Sequence, residues 1–578
     1  MANMEESIAS KNDQKKLPPD LSDLTMSIDA EMGIPKHDGG DGLLADVEND
    51  PEHEPAKFED VLHIVGGTDR FQILVYIMVN VSFEFAASCA TTYFIIEGAN
   101  PGWSCLKCEK YLSDGSYCSQ FSANATEGSC KNDNDNCYNM TFNTQYTSIV
   151  SEWALVCNEG WIAKLVASIF FAGLLVGVVV MGQISDSFGR KISLIPCWIV
   201  LIIAQSVLSA APSVPIYVTI RFVAGMCVGC LAANGAVLAM EFMDPKWRTV
   251  VGFRFGWQVG QCATALMAYL LPDWRKLSLA TGLVSLPLLP IIWYFLPESA
   301  RWYVEKQKID QAENCLKYVA KINGKDTTGL REKLELISNA EATKKKAKSL
   351  NVTYLFRTRK LAIRSVVLIY AWLATSLMFY GISNQMSDMT GNMYLNVFIS
   401  GAGVLLTRWT FVFLVNWIGR RISLLIFLGI PGLCLLAIMI MDLTGFLDKN
   451  PMFVTYFGLS AYIIGAGAWC VTTYYSAELY PTLLRNTATG TGFMGARIGS
   501  IIAPQISLMS SLHESAPYVV VGAVALSSAA LNFFILPETT DRPLPEDLEE
   551  QKPDRANPNI NANQVDPIII KENNDTKF

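Results

Sequence analysis

The chain has 578 residues, of which 51% are hydrophobic and 17% charged, with a formal net charge of −8 and a mean hydropathy of +0.27. A soluble protein of this length carries about 25% charged residues, so the composition excludes an ordinary globular domain. Much of the acidic excess sits in the two tails, and no Lys/Arg run with interleaved aromatics is present, which argues against a nucleic-acid partner.

Residues 1–58 are polar and acidic, without the apolar core of a signal peptide, and read as a disordered cytosolic tail. Twelve apolar windows of about 20 residues follow, each long enough to cross a bilayer core of about 30 Å. They are expected at 71–96, 161–183, 192–211, 216–240, 250–271, 277–296, 363–383, 394–415, 422–442, 452–474, 487–509 and 517–536. The chain is therefore expected to be an all-α polytopic membrane protein. Residues 541–578 read as a second disordered cytosolic tail.

Two connections are long. The first, 98–158, carries Cys105, Cys108, Cys118, Cys130, Cys137 and Cys157 and the sequons at Asn124 and Asn139. An even cysteine number beside sequons reads as an extracellular, glycosylated, disulfide-stapled cap whose pairing stays open. Cys105 and Cys108 taken as a zinc or redox pair is the weaker alternative, because no second such pair accompanies them. The second connection, 303–362, is Lys-rich, and Leu330, Leu334 and Ile337 recur at helical spacing, which predicts short amphipathic helices. Its charge, with Arg190, Lys191, Lys246, Arg248, Arg420 and Arg421 in short loops, places this side and both tails in the cytosol.

The chain repeats itself. Asp186-Ser-Phe-Gly189-Arg190-Lys191 follows span 2, and Asn416-Trp-Ile-Gly419-Arg420-Arg421 follows span 8. Leu296-Pro297-Glu298-Ser299 ends span 6, and Leu536-Pro537-Glu538-Thr539 ends span 12. Glu241 precedes Arg248, and Glu478 precedes Arg485, by seven residues each. Six spans separate each pair, which predicts two pseudo-symmetric six-helix halves at 59–302 and 363–540, as in secondary transporters that bind substrate between parallel halves. Acid and base at helix ends on one side can pair across the halves when that side is shut and separate when it opens. The expected cytosolic gate comprises Asp186, Gly189, Arg190, Lys191, Glu241, Arg248, Glu298, Arg301, Arg420, Arg421, Glu478, Arg485 and Glu538.

With these motifs the chain resembles the major facilitator superfamily and, within it, the solute carrier 22 family of organic ion transporters. The resemblance covers about residues 58 to 550. It is carried by Ser148-Ile-Val-Ser-Glu-Trp-Ala-Leu-Val-Cys157, the 182–191 motif, Pro297-Glu-Ser-Ala-Arg-Trp302, Gly391-Asn-Met-Tyr-Leu-Asn396, Ala477-Glu-Leu-Tyr-Pro-Thr-Leu-Leu-Arg-Asn486 and the 536–547 segment. It implies the major facilitator fold and plasma-membrane transport of organic anions, cations or zwitterions such as carnitine. The chain departs from the pattern at Ser187, at Asn416 and Trp417, and at Val404 and Leu406.

Charges inside spans cost about 2.5–3.5 kcal/mol each on insertion scales and mark candidate function. Arg221 and Arg254 lie near span ends and are expected to snorkel to headgroups. Arg408 and Arg497 lie deeper, and Glu84 is the one acid expected well inside a span. A guanidinium offers two parallel donors to a carboxylate or sulfonate. The resemblance supports substrate contact at Arg497 and Arg408, and an aromatic pocket at Trp372, Phe379 and Tyr380. Trp257, Gln258, Trp469 and Tyr474 are further candidates. Mutual neutralisation of Glu84 with one arginine, and plain packing of the aromatics, are the competing structural readings.

The expectation is an alternating-access transporter, first of organic anions or zwitterions, with Glu84 free to receive a cationic end. An organic cation carrier is the second reading, and a receptor that moves nothing is a third. No catalytic motif occurs, all four histidines lie outside the spans, and no metal or cofactor is expected. The expected partners are the lipid bilayer, a small organic ion, and a coupling or exchange ion; a monomer is expected.

Overall fold

A computed structural model describes residues 58–111, 118–121, 126–127, 137–142, 145–156, 159–244, 255–344 and 352–540. The sequon at Asn124, Cys130, Cys157, Arg248 and Arg254 fall outside them, as do both expected tails. The described residues belong to one compact unit.

The twelve expected spans occur as twelve helical segments. In the first half these are α1 (Arg70–Thr92, continued by a π-helical turn Tyr93–Glu97), α2 (Gly160–Phe188), α3 (Arg190–Leu208), α4 (Val214–Phe242), α5 (Gly256–Leu270) and α6 (Trp274–Val284 with Leu288–Phe295). In the second they are α7 (Arg359–Ser383), α8 (Met393–Ile418), α9 (Arg420–Leu443), α10 (Met452–Gly465 with Gly467–Glu478), α11 (Thr482–Ile506) and α12 (Ala516–Ile535). Among the described residues, nine helices are long and apolar enough to cross a membrane. The other three are α5, described only from Gly256, and α8 and α11, which carry Arg408 and Arg497.

The loop before α2 forms a four-stranded antiparallel sheet: β1 (Trp103–Tyr111), β2 (Cys118–Phe121), β3 (Thr126–Glu127) and β4 (Cys137–Phe142). The register sets Cys137 opposite Lys107, next to Cys108, and Tyr111 opposite Cys118. This sheet marks one end of the molecule, the cap end; the Gly-Arg motifs mark the other, the motif end. The 303–362 connection forms helices Ile309–Asn323 and Leu330–Lys344, with Leu330, Leu334 and Ile337 buried as expected. They dock on the first half: Asn323 accepts from the Phe71 amide at 2.9 Å and donates to the Val65 carbonyl at 2.8 Å.

The repeat seen in the motifs extends to how the helices pack. On α5, a side chain at Gly256 or Gly260 would collide with the Asn80 and Glu84 carbonyls of α1. On α11, Gly495 and Gly499 press in the same way on the Ile369 and Leu373 carbonyls of α7. Small residues permit this backbone-to-backbone contact, which is how helices associate without a hydrophobic driving force. The correspondence makes Gln258 of α5 the positional mate of Arg497 of α11. Contacts between the halves follow the same symmetry. Ser168 of α2 meets the Ile501 carbonyl of α11, and Cys262 of α5 meets the Phe398 carbonyl of α8. Ser168 and Phe398 each lie 21 residues before the glycine of their own motif, Gly189 and Gly419.

Candidate functional site: an aromatic-lined cavity between two halves and the motif-end clamps

Each motif end is a clamp within one half. Gly189 adopts φ +123° and Gly419 φ +87°, turns that favour glycine, and each starts the next helix at once. The exposed amides at those helix starts are then capped by a glutamate. Glu298 accepts from the amides of Arg190 at 2.6 Å and Lys191 at 3.0 Å; Glu538 accepts from those of Arg420 at 2.9 Å and Arg421 at 3.0 Å. A carboxylate there satisfies orphan N–H groups and complements the helix dipole. Burial pushes the Glu538 carboxyl up, but bonds from Thr540 and the Arg420 and Arg421 amides outweigh it and hold the group below the ordinary carboxylate range.

The arginines behind the caps hold a second carboxylate. Arg190 donates to Glu241 at 3.2 Å and pairs with Asp186, while Arg420 donates to Glu478 at 2.8 Å. Lys191 Nζ donates to the Trp293 carbonyl, and Arg421 Nε to that of Phe533, each five residues before the capping glutamate. In this conformation these pairs lie inside each half, and Glu298 and Glu538 are helix caps; pairing across the halves is expected only of the state with this side shut. Arg301 is ion-paired with Glu59 at 3.8 Å. Arg485 keeps two buried nitrogens, Nε and one Nη, without a hydrogen-bond partner.

Between the halves, nearer the cap end, lies a cavity of about 10 Å³, room for about one water. Phe379, Tyr380 and Trp257 line it. Thr91, Phe94, Gln261, Ser383, Val397 and Tyr462 also line it and were not singled out by the sequence reading. Phe379 stacks on Tyr462 at 4.4 Å, and Trp469 packs edge-on against both Phe379 and Tyr380. Trp372 is fully buried behind them, donating to Ser476 at 2.9 Å and pressed on by Gly492. In this conformation it packs the second half and does not line the cavity.

Arg497, Arg408 and Glu84 lie on α11, α8 and α1. Arg497 sits beside the Tyr380 hydroxyl, with its Nε buried and unpartnered. Arg408 donates one Nη to Gln258 Oε1 across the halves at 3.0 Å, and its Nε is likewise unpartnered. Glu84 is half-buried on α1, seven residues before Thr91 and so on the same helix face. Among the described residues, no hydrogen bond or ion pair joins its carboxylate to an arginine.

Arg221 corrects a further expectation. It does not snorkel: it is fully buried and ion-paired with Glu97, also fully buried, at the π-helical end of α1. Glu97 accepts from Tyr217 and, at 2.7 Å, from Ser278. Arg221 donates to the Cys89 carbonyl at 2.9 Å and to Tyr217 at 3.1 Å. Above it, Trp153 packs on Tyr217 and Trp274, and Glu152 accepts from Trp274 at 2.8 Å and pairs with Arg275. Residues 148–156 of the motif are thereby a plug seated on the cap end of the first half.

Residues 118–550 match the family model for sugar (and other) transporters. The chain is 30% identical over 529 residues to solute carrier family 22 member 6 of Mus musculus, covering 86% of this chain and 94% of that one. It is 32% identical over 408 residues to organic anion transporter 3 of Sus scrofa, covering 70% and 74%. Among solved structures it resembles the inward open conformation of the xylose transporter XylE from E. coli, with a TM-score of 0.57 at 16% identity over 82% of this chain and 98% of that one. That similarity speaks to fold alone, and it agrees with the two-half arrangement. The chain is therefore a multi-pass membrane transporter belonging to the solute carrier 22 family.

Proposed function

We propose that the protein carries small organic anions across the plasma membrane by alternating access, with both termini and the motif end in the cytosol. The observation that carries this reading is the pair of guanidiniums, Arg497 beside the cavity-lining Tyr380 and Arg408 on Gln258, each with a buried donor left unpartnered. A buried donor without an acceptor costs about 1–3 kcal/mol, so an incoming carboxylate or sulfonate gains what the empty site lacks. The relatives named organic anion transporters support the same substrate class.

Glu84 extends the reading to zwitterions. It lies on the first half and both arginines on the second. A dipolar substrate would set its anionic end toward α8 and α11 and its cationic end toward α1. The moving bodies are residues 59–302 and 363–540, acting as a monomer, with a coupling or exchange ion completing the cycle. The described hydrogen bonds between the halves lie between the cap end and mid-helix, which supports a conformation facing the cytosol. The cavity of about 10 Å³ is the small cap-side remainder of the pathway and must widen to hold substrate.

The test is uptake in cells of a labelled organic anion, a quaternary cation and a carnitine-like zwitterion, with Arg497→Ala beside wild type at matched surface level. Loss of one charge-assisted bond predicts a drop in anion kcat/KM of about 10- to 100-fold. Uptake of the cation alone, unchanged by Arg497→Ala, would overturn the reading.

A further inference from the structure

The two interfaces that join the halves, α5 with α8 and α2 with α11, share one chemical device. At the first, Gln261 Nε2 donates to Ser400 Oγ at 2.8 Å, and Gln261 Oε1 accepts from Tyr462 at 3.2 Å. At the second, Gln505 Nε2 donates to Ser168 Oγ at 2.8 Å, and the Ser168 hydroxyl donates to the Ile501 carbonyl at 2.7 Å. Gln261, Ser400 and Ser168 are all buried, at 3%, 0% and 6% exposure. Gln261 and Gln505 are not positional mates: they stand five and ten residues after Gly256 and Gly495, the glycines that correspond. The same pairing has therefore been placed on both interfaces without being copied by the internal repeat.

We infer that the Gln261–Ser400 and Gln505–Ser168 pairs are the latches that hold the cap side shut, and that both part when the pathway opens to that side. This rests on the alternating-access reading above. Gln261 also lines the small cavity, so a substrate reaching it from the cap side must pass where this bond stands. Neutral side-chain hydrogen bonds between membrane helices are weak, so such a bond can part once in every transport cycle. Each pair is then expected to bias the equilibrium about three-fold, and the two together about eight-fold.

The experiment places a reporter cysteine at Ser383, which lines the cavity, and follows its labelling by a membrane-impermeant maleimide added outside intact cells. A chain without the reporter sets the baseline, and uptake of a labelled organic anion is measured in parallel. Gln261→Leu and Gln505→Leu should each raise the labelling rate about three-fold, and the double variant about eight-fold. An unchanged rate in the double variant, at normal surface level and with the parent carrying the anion, overturns the latch. A parent that carries none of the anions overturns the transport reading instead. If the leucine variants fail to reach the surface, Ser400→Ala with Ser168→Ala removes both acceptors together with the bonds those hydroxyls donate to the Val397 and Ile501 carbonyls, and the same rise or its absence decides.

Discussion

Glu97 and Arg221 show how far one residue can sit from its expected role. Both are buried completely, and every polar atom of the pair is engaged by Tyr217, Ser278, Thr92 or the Cys89 carbonyl. Removing one partner of such a pair leaves an uncompensated buried charge and costs about 3–5 kcal/mol, while replacing both with well-packed neutral groups costs far less. Arg221→Met should therefore collapse the detergent-extracted protein's melting temperature and its surface level. Glu97→Gln combined with Arg221→Met should recover most of both, as read by fluorescence-detected size exclusion after heating. A double variant as unstable as the worse single one would mean that the pair contributes through shape and not charge. The pair was half legible. Arg221 stood out as a charge in a span, but Glu97 lies one residue past the expected end of span 1, and only the three-dimensional packing of α1 on α4 joins them.

At the scale of helices, hydropathy located all twelve segments because an apolar run of bilayer length has few other uses. Breaks were not visible: α6 pauses between Val284 and Leu288, around Pro287, and α10 between Gly465 and Gly467, where Met378 and Phe427 press on the two glycines. The cap sheet was missed because its strands are short, run from two to nine residues, and lie among Cys, Asn and Asp that read as loop. The packing glycines support a contrast. Gly260→Leu would drive a side chain into the Glu84 carbonyl and separate α1 from α5, whereas a β-carbon at Gly490 meets nothing within 4 Å. Gly260→Leu should lose folded protein, and Gly490→Ala should match or exceed wild type by up to about 1 kcal/mol, read as the shift in melting temperature. The motif caps carry a pH signature of their own. The Glu538 carboxyl is held below its ordinary range, so its stabilisation is fully present above the unfolded carboxylate value and is lost as pH falls through the lower folded value. Melting temperature should fall with acid below about pH 4, less steeply in Glu538→Gln; equal slopes would remove Glu538 from the account.

For the whole molecule, the internal repeat announced two halves, and the motif charges announced where they are clamped, but sequence could not say which conformation the charges describe. Here the clamps close within each half, leaving Asp186 largely exposed and Arg485 with two buried donors unsatisfied. That imbalance has a direction. A guanidinium short of acceptors raises the energy of the state that leaves it so, and a carboxylate brought to it from the first half would lower the energy of the state with the motif end shut. Asp186 has the exposure to serve, and Glu241 keeps one buried oxygen without a hydrogen-bond partner. Arg485→Ala should therefore remove the reward for shutting the motif end and hold more of the population in the present conformation. Labelling of a cysteine at Ser383 from the cap side should slow by about ten-fold, roughly one charge-assisted bond, opposite in sign to the effect of removing the glutamine–serine latches. Uptake should fall in parallel, since carriers held on one side complete fewer cycles. Faster labelling in Arg485→Ala would place the arginine in the present conformation's support and transfer motif-end closure to other groups.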